Sequence, residues 1–189
     1  MSSSNMNGEE PRETVPSRKL LFKICIVGDG GVGKTTMVKR LLTGKYIEQK
    51  ITIGTDLATH SIKIKNKKII LQLWDFAGEK RFRFFLPNYS RGAKGVLLCY
   101  DIARRSTFNN LKEWYNIVDE HSNPVFILVG CKQDLADEKR VVSREDAKEF
   151  QEEYDIDLFF ETSSKTGYNI QEVFENLTHR IIDKQEIPL

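Results

Sequence analysis

A glycine-rich segment that ends in lysine and threonine follows the first apolar run of the chain. The run is Leu20–Val27, the segment reads GDGGVGKT from Gly28 to Thr35, and a helical pattern covers residues 36–42. This order fits the G-x-x-x-x-G-K-[ST] pattern in its strand–loop–helix context. Backbone N–H groups of such a loop converge on phosphate oxygens at a helix N-terminus, where the helix dipole favours anions. The sequence therefore predicts a phosphate-binding loop in an α/β fold.

Two side chains of this segment have chemical roles of their own in binding a nucleotide. Lys34 supplies a positive charge for the β- and γ-phosphates, and Thr35 offers a hydroxyl group to Mg²⁺. The segment alone does not separate ATP from GTP, or a kinase from a hydrolase. The predicted phosphate-binding residues are Asp29, Gly30, Gly31, Val32, Gly33, Lys34, Thr35 and Thr36.

Short apolar runs alternate with amphipathic helical patterns along the whole chain. Most runs are apolar at nearly every position, which is typical of strands buried on both faces of a parallel sheet. Residues 108–118 and 170–181 have helical periodicity, and capping-box patterns predict helix starts at Ser143 and Asn169. The apolar runs cover residues 20–27, 69–74, 95–100, 124–129 and 158–160.

One segment departs from this alternation and predicts an antiparallel edge strand. Residues 62–65 alternate isoleucine with lysine, and the chain then turns at residues 66–67 into the run 69–74. Charge on an edge strand discourages aggregation, and runs of charge usually only solvate a surface, although these lysines could instead contact an acidic partner. The lysines are Lys63, Lys65, Lys67 and Lys68.

The composition indicates one globular domain with short tails. Of 189 residues, 40% are hydrophobic and 30% are charged, and 29 Lys+Arg against 27 Asp+Glu leave a net charge of +2. This charge gives no reason to expect a nucleic-acid partner, and no run approaches the roughly 18 apolar residues that span a bilayer. We expect a flexible N-terminal tail over residues 1–18, the domain over 19–183 and a C-terminal tail over 184–189.

The cysteines and the chain ends indicate a cytoplasmic protein with no direct lipid anchor, and we expect a monomer. Cys25, Cys99 and Cys131 lie in or just after apolar runs, as buried thiols in a reducing compartment do. No cysteine follows Cys131 to accept a prenyl group, and Ser2 rather than glycine follows Met1. The N-terminus also lacks the apolar core of a secretory signal.

A carboxylate and a glycine at the end of the run 69–74 extend the predicted phosphate site. In the segment WDFAG, Asp75 can hold Mg²⁺ through water, and the N–H group of Gly78 can reach the γ-phosphate. The pattern D-x-x-G is common by itself. Its position at a strand end, downstream of a phosphate loop, makes it informative.

Two later segments indicate guanine rather than adenine as the base. In GCKQDL, after the run 124–129, Asp134 can accept hydrogen bonds from the N1–H and amino groups of guanine. Adenine lacks this pair of donors and would leave the charge unpaired. The stem of Lys132 can lie along the base, and the segment ETSSK can close over its edge. The predicted base-binding residues are Cys131, Lys132, Asp134, Ser163, Ser164 and Lys165.

Together, the segments GDGGVGKT, WDFAG, CKQD and ETSSK resemble the Ras superfamily of small GTPases over residues 20–182. The resemblance implies the P-loop NTPase fold, with a six-stranded, mostly parallel sheet, one antiparallel edge strand and helices on both faces. It also implies a GTP/GDP molecular switch that hydrolyses GTP slowly. Shorter segments are most similar to the Rab branch, namely IGTDL at 53–57, RFR at 81–83, YSRGA at 89–93 and YDI at 100–102.

The resemblance also implies roles for single residues. Thr52 would bind Mg²⁺ and the γ-phosphate in the GTP state only, and Tyr46 lies near the position of an aromatic ring that packs against guanine. Exchange factors, GTPase-activating proteins and effectors would contact the switch regions and a trio of side chains, Leu57, Trp74 and Tyr89. Leu57 departs from the usual phenylalanine.

Phe82, Phe84 and Phe85 add apolar side chains to the second switch, the region that follows Gly78. They either pack beneath its helix or contact partner proteins.

Glu79 stands where the family has the glutamine that orients the attacking water. Its charge repels the γ-phosphate, since two unit charges about 5 Å apart at an effective dielectric near 20 interact by roughly 3 kcal/mol. We expect this repulsion to favour the protonated carboxyl group or to push the side chain outward, unless Lys50 or Lys80 offsets it. Hydrolysis then persists by a route other than that of glutamine, or Glu79 abolishes it and leaves a GTP-locked binding module. The predicted catalytic residues are Lys34, Thr52, Gly78 and Glu79.

Cys131 is a second departure, because the family has asparagine at this position. A thiol is a weak hydrogen-bond partner. We expect a looser connection between the base loop and the phosphate loop, and faster nucleotide release.

Overall fold

The computed structural model describes residues 19–49, 51–118 and 123–188, and these contain a six-stranded sheet of order β2-β3-β1-β4-β5-β6. All neighbouring strands are parallel except β2 and β3, which form an antiparallel pair. The strands are β1 (Leu20–Val27), β2 (Thr55–Ile64), β3 (Lys67–Phe76), β4 (Gly95–Asp101), β5 (Val125–Cys131) and β6 (Leu158–Thr162). The predicted sheet, with its single antiparallel edge strand, is confirmed.

The helices of the described residues lie between successive strands, except the last helix, which follows β6. A 3₁₀-helical segment, Lys80–Phe85, leads into the short helix after β3, and a second one, Gln133–Leu135, follows β5. The α-helices are α1 (Lys34–Thr43), α2 (Leu86–Ser90), α3 (Arg105–Asn109), α4 (Leu111–Ile117), α5 (Ala136–Lys139), α6 (Arg144–Glu153) and α7 (Ile170–Lys184).

The apolar core lies in two clusters on opposite faces of the sheet, because successive residues of a strand point to opposite sides. On β1, Ile24 belongs to the cluster that includes Met37 of α1 and Phe174 of α7. Its neighbour Cys25 belongs to the cluster that includes Trp114 of α4. The central strands must therefore be apolar on both faces, as their sequences predicted.

The lysine-rich strand is at the edge of the sheet, as expected. β2 is the first strand of the order, and Lys63 lies directly opposite Lys68 of β3. Lys65 has a left-handed backbone conformation, with φ of 51°, where the hairpin turns. Lys63 of β2 and Lys65 of the turn are both exposed, which fits a solvated edge.

Of three predicted helix features, the first is confirmed and the other two are correct only in part. Ser143 and Asp146 form the predicted capping box at the start of α6, with bonds of 3.0 and 2.8 Å. Asn169 does not cap α7: its backbone is left-handed, with φ of 54°, and its side-chain Nδ2 donates to the Glu161 carbonyl oxygen at 2.9 Å. The helical pattern over residues 108–118 is interrupted at Asn110, between α3 and α4.

The predicted N-terminal tail, residues 1–18, lies outside the described residues. The predicted C-terminal tail begins at Lys184, which is the last residue of α7, and Ile187 packs against the core cluster beneath that helix. In the part of the chain that the structure describes, no helix is long and apolar enough to cross a bilayer. Cys25, Cys99 and Cys131 are free and buried, as predicted.

Candidate functional site

The loop between β1 and α1 lies at the carboxyl edge of the sheet and leaves no room for side chains at its start. Gly28 has φ of 139°, and a Cβ atom there would lie 2.1 Å from the carbonyl oxygen of Cys99. The loop ends at Gly33, before Lys34 begins α1, and no side chain caps this helix. The first N–H groups of α1 are therefore available to an anion.

Lys34 is a buried cation at the base of this loop. Its side chain is 5% exposed, and its Nζ donates to the carbonyl oxygens of Gly28 at 2.7 Å and Asp29 at 2.9 Å. Burial lowers the pKa of Lys34, and the nearby charge of Asp75 opposes this shift in part. A polyphosphate would offer Lys34 stronger acceptors than the two carbonyl groups.

Three oxygen-bearing side chains meet beside Lys34. Thr35 Oγ1 lies 2.6 Å from Thr52 Oγ1 and donates to Asp75 Oδ2 at 2.5 Å. Asp75 is 2% exposed, and among the described residues its Oδ1 has no hydrogen-bond partner. Burial raises the pKa of Asp75, against the lowering effect of the Thr35 hydrogen bond and of Lys34. Carboxylate and hydroxyl oxygens are the ligands that Mg²⁺ prefers, so the three residues fit this ion.

A cavity of about 210 Å³ opens above these residues. It brings together most of the predicted phosphate-binding residues with Tyr46, whose side chain is 49% exposed, and with Lys132 from the base loop. Val32 is fully buried in the core and is not among the residues that line this cavity. The predicted residues that line it are Gly30, Gly31, Gly33, Lys34, Thr35, Thr36, Tyr46, Thr52, Gly78 and Lys132.

The two predicted base-binding loops are joined by a hydrogen bond. Ser163 Oγ donates to Asp134 Oδ1 at 2.6 Å and accepts from the N–H group of Thr166 at 3.2 Å. Ser164 follows as a half-buried residue and Lys165 as an exposed one. These residues form the rim next to the cavity rather than its lining.

Glu161, the first residue of ETSSK, is a buried carboxylate that joins the last strand to Arg140, at the end of α5, and to Arg144, at the start of α6. The Glu161 side chain is 2% exposed and receives two hydrogen bonds from Arg140, at 2.6 and 3.0 Å, and one from Arg144 at 2.9 Å. Burial by itself raises the pKa of Glu161, but the hydrogen bonds from both arginines outweigh it and hold the pKa below its ordinary value.

Cys131 packs against the phosphate loop through its apolar atoms. It is 3% exposed, and a Cβ atom at Gly33 would lie 3.8 Å from its own Cβ. The Sγ atom lies 3.9 Å from the carbonyl oxygen of Val129, in the same strand. The thiol therefore makes its contact within β5, as a weak donor does.

Several residues at this edge were not predicted from the sequence. Asp101 ends β4 and accepts a hydrogen bond from Lys132 Nζ at 2.7 Å, which holds the lysine that follows β5. Arg104 Nη2 donates to the Gly30 carbonyl oxygen at 2.7 Å. A charged residue at the end of a neighbouring parallel strand is the signal that points to Asp101, whereas nothing local to the sequence points to Arg104.

The side chain of Glu79 is paired with an arginine of the second switch. Its Oε2 lies 2.6 Å from Arg81 Nε, and the carboxylate is 35% exposed. Of the lysines that could offset this charge, Lys50 lies outside the described residues and Lys80 is exposed. The partner of Glu79 in the structure is Arg81 instead.

The predicted partner-binding side chains surround an apolar groove of about 350 Å³. The rings of Trp74 and Tyr89 are 5.9 Å apart, and Leu57 is 51% exposed. Phe82 and Phe85 line the same groove, whereas Phe84 is 68% exposed and packs on Phe85. We call the surface formed by Leu57, Trp74, Phe82, Phe85 and Tyr89 the switch groove.

Comparison with known proteins gives consistent matches over nearly the whole described chain. The model of the Ras family matches residues 23–183. The Ras-related protein RAB1BV of Beta vulgaris is 41% identical over 164 residues, which cover 85% of this chain and 76% of that protein. RABD2b of Arabidopsis thaliana is 41% identical over 169 residues, covering 88% and 83%. Human Rab-19 is 40% identical over 172 residues, covering 89% and 79%.

Proposed function

The chain belongs to the Ras family of small GTPases and is Rab-like in sequence, and we propose that its cavity binds GTP or GDP together with Mg²⁺. In this proposal GTP is hydrolysed slowly to GDP and phosphate, and the switch groove recruits partners in the GTP state. Membership of this family supports a GTPase that acts as a molecular switch.

The cluster of Lys34, Thr35, Thr52 and Asp75, in which the lysine and the aspartate are buried and the two threonines half-buried, carries the proposal. An unpartnered carboxylate oxygen 2% exposed to solvent is costly unless a cation or donor completes its coordination. Thr35, Thr52 and Asp75 are the residues that would hold Mg²⁺, Asp75 through water. When bound, the ion neutralises charge on the β- and γ-phosphates.

The phosphate groups lie, in this proposal, over the N-terminus of α1. The N–H groups of residues 29–36 and of Gly78 bind their oxygens, and Lys34 Nζ exchanges the carbonyl oxygens of Gly28 and Asp29 for phosphate oxygens. Because Thr52 contacts Thr35 and lines the cavity, loss of the γ-phosphate removes one reason for it to stay there. The conformation of the first switch, the region around Thr52, would then depend on whether GTP or GDP is bound.

Guanine is selected by Asp134, which accepts hydrogen bonds from N1–H and the amino group. The hydroxyl of Ser163 orients this carboxylate, and Asp101 orients Lys132 along the base. Tyr46, Cys131, Ser164 and Lys165 complete the pocket for the base.

Hydrolysis in this site requires a water oxygen to attack the γ-phosphorus while the bond to the β–γ bridging oxygen breaks. Lys34 and the N–H group of Gly78 stabilise the charge that shifts onto the phosphate oxygens. Glu79 is not required to act as the family's glutamine does, since its carboxylate is paired with Arg81. Because hydrolysis by the protein alone is slow, we expect a GTPase-activating protein that supplies a cation in trans.

The alternative of a GTP-locked binding module differs in one measurable property. The nucleotide that co-purifies with the protein is identified by mass, and its decay is followed with and without Mg²⁺. We expect GDP with residual GTP, and a GTP decay that requires Mg²⁺. GTP that persists over hours in Mg²⁺ supports the locked module, and an adenine nucleotide contradicts both functions.

A further inference from the structure

The side chain of Asp29 faces away from the phosphate cavity and is surrounded by donors. Its Oδ1 accepts from Arg83 Nη2 at 3.0 Å and from Trp114 Nε1 at 2.8 Å, and its Oδ2 accepts from Asn110 Nδ2 at 2.7 Å. The side chain is 16% exposed. A carboxylate in a phosphate loop adds negative charge beside the polyphosphate, so the cation that neutralises it has a direct effect on that site.

Arg83 supplies this cation from the second switch. Its side chain is 10% exposed, and its guanidinium lies 4.2 Å from the ring centroid of Trp114 and also pairs with Glu113. Glu113 is 53% exposed, whereas Asp29 is nearly buried. Since exposed ion pairs contribute little, Asp29 is the partner that holds the guanidinium in place.

A second contact joins the same segment to the same part of the phosphate loop. A Cβ atom at Gly78 would lie 2.0 Å from the nitrogen of Gly30 and 2.2 Å from the carbonyl carbon of Asp29. The backbone at Gly78 therefore lies directly against the peptide that joins residues 29 and 30. Residues 78–83 are attached to the phosphate loop at both ends, by backbone packing at Gly78 and by the ion pair at Arg83.

We infer that Arg83 is a positioning residue for GTP hydrolysis, which acts through Asp29 to hold residues 78–83 on the phosphate loop. The ion pair sets where the N–H group of Gly78 and the carboxylate of Glu79 stand relative to the γ-phosphate. This inference depends on the proposed hydrolysis of GTP. It gives the side chain of Asp29 a role distinct from phosphate binding by its backbone.

Single-turnover GTP hydrolysis by Arg83→Gln, Asp29→Asn and the double variant tests this role. We expect Arg83→Gln to lower the rate constant by roughly 10-fold to 100-fold, because small displacements of reacting groups cost that much. Asp29→Asn should lower it to a similar extent. The double variant should be about as slow as the slower single variant, since the pair acts as one unit.

The affinity for a fluorescent GDP analogue separates positioning from folding. We expect Arg83→Gln to keep this affinity within about threefold of the wild type, since Arg83 contacts the phosphate loop through a side chain only. Arg83→Lys should recover part of the rate, because it keeps the charge but not the two-armed geometry. Loss of GDP-analogue binding in Arg83→Gln would overturn the inference.

Two matched variants on α4 serve as controls. Glu113→Gln removes the exposed partner of the same guanidinium, and Lys112→Gln removes an exposed charge from the adjacent position. Both variants should hydrolyse GTP within about twofold of the wild type.

Slow hydrolysis in Asp29→Asn with a normal rate in Arg83→Gln would show that Asp29 acts within the phosphate loop alone. A wild type that binds GTP without turnover contradicts the proposed hydrolysis itself, before any variant is compared.

Trp114 gives a spectroscopic readout of the same contact. The chain has two tryptophans, so Trp74→Phe leaves Trp114 as the only fluorophore of its kind. Adding Arg83→Gln should shift its emission and increase its quenching by acrylamide, because the ring loses the guanidinium that covers it. Identical spectra with and without Arg83 would contradict the contact.

Discussion

The buried cluster beneath the cavity and the switch groove beside it differ in what holds their side chains in place. Lys34 and Asp75 are 5% and 2% exposed, whereas Leu57 and Tyr89 of the groove are 51% and 44% exposed. Asp75 is the penultimate residue of β3, next to β1, and Lys34 begins α1, so regular structure places these two side chains. The groove is apolar surface that water covers until a partner protein replaces it.

This difference separates two kinds of task. A phosphate and metal site must hold charges at fixed distances before the ligand arrives, because reorganisation at that moment costs free energy. A partner-binding surface that differs between the GTP-bound and GDP-bound states must instead change its shape or its exposure to solvent. Residues 78–83 belong to both regions, since Gly78 contacts the phosphate loop and Phe82 lines the groove.

The largest effect is expected inside the buried cluster. Lys34→Met removes the cation but keeps most of the side-chain volume, and we expect the affinity for GDP to fall by about 10³-fold, equal to two or three charge-assisted hydrogen bonds. Equilibrium binding of a fluorescent GDP analogue measures this. Lys39→Met, which removes a partly exposed lysine of the same helix, should change the affinity by less than about threefold. Equal losses in both variants would mean that net charge, not the buried position, controls binding.

A smaller effect, on the free energy of unfolding and with a defined pH dependence, is expected at Glu161, the buried carboxylate of β6. Glu161→Gln leaves Arg140 without its charged partner and should cost about 2 kcal/mol of unfolding free energy at pH 7. Because the pKa of Glu161 is lowered in the folded state, its contribution is complete above its unfolded pKa of about 4.3. It is lost as the pH falls through the folded pKa.

Urea unfolding between pH 3 and 7, in roughly unit steps, checks this sign. The difference between wild type and Glu161→Gln should shrink on acidification, while Glu153→Gln, at an exposed position of α6, should match the wild type throughout. A difference that grows toward low pH would contradict a lowered pKa.

A moderate effect on hydrolysis is expected at Glu79, which lies in the segment 78–83 shared by the two regions. Glu79→Ala should slow single-turnover hydrolysis by about threefold to tenfold, less than a general base contributes, because the carboxylate is already paired with Arg81. Glu79→Gln should be at least as fast as the wild type, since it removes the repulsion toward the γ-phosphate. An alanine variant as fast as the wild type would remove Glu79 from the mechanism.

An effect no larger than that at Glu79, but on nucleotide release, is expected at Cys131, where the base loop meets the phosphate loop. Cys131→Asn adds an amide that can donate to the phosphate loop, and one such bond should slow release of the GDP analogue by about threefold to tenfold. Cys131→Ala serves as the control and should not slow release. An unchanged rate in the asparagine variant would mean that this contact does not limit release.

The parts of the molecule that follow from local sequence were predictable. The runs that became β1, β3, β4, β5 and β6 are apolar at nearly every position, and the phosphate loop needs only its glycines and its place after a strand. The meeting of Thr35 with Asp75 also follows, because β1 and β3 are parallel neighbours whose carboxyl ends lie at one edge.

The parts that depend on tertiary contacts were not predictable. The break at Asn110 and the surroundings of Asp29 have one cause, since Asn110 donates to Asp29 from a position far away in the chain. Asn169 has the sequence of a helix cap, yet its side chain bonds to the Glu161 carbonyl group. In both cases a local pattern competes with a distant partner, and the distant partner decides the conformation.

Competition between GTP and ATP for the cavity tests the central claim most directly. The fluorescent GDP analogue is displaced by each nucleotide in Mg²⁺, from the wild type and from Asp134→Ala. We predict that GTP binds to the wild type at least about 10³-fold more tightly than ATP, and that Asp134→Ala loses most of this preference. ATP that displaces the analogue as well as GTP does, or an Asp134→Ala variant that keeps the full preference, would contradict the account.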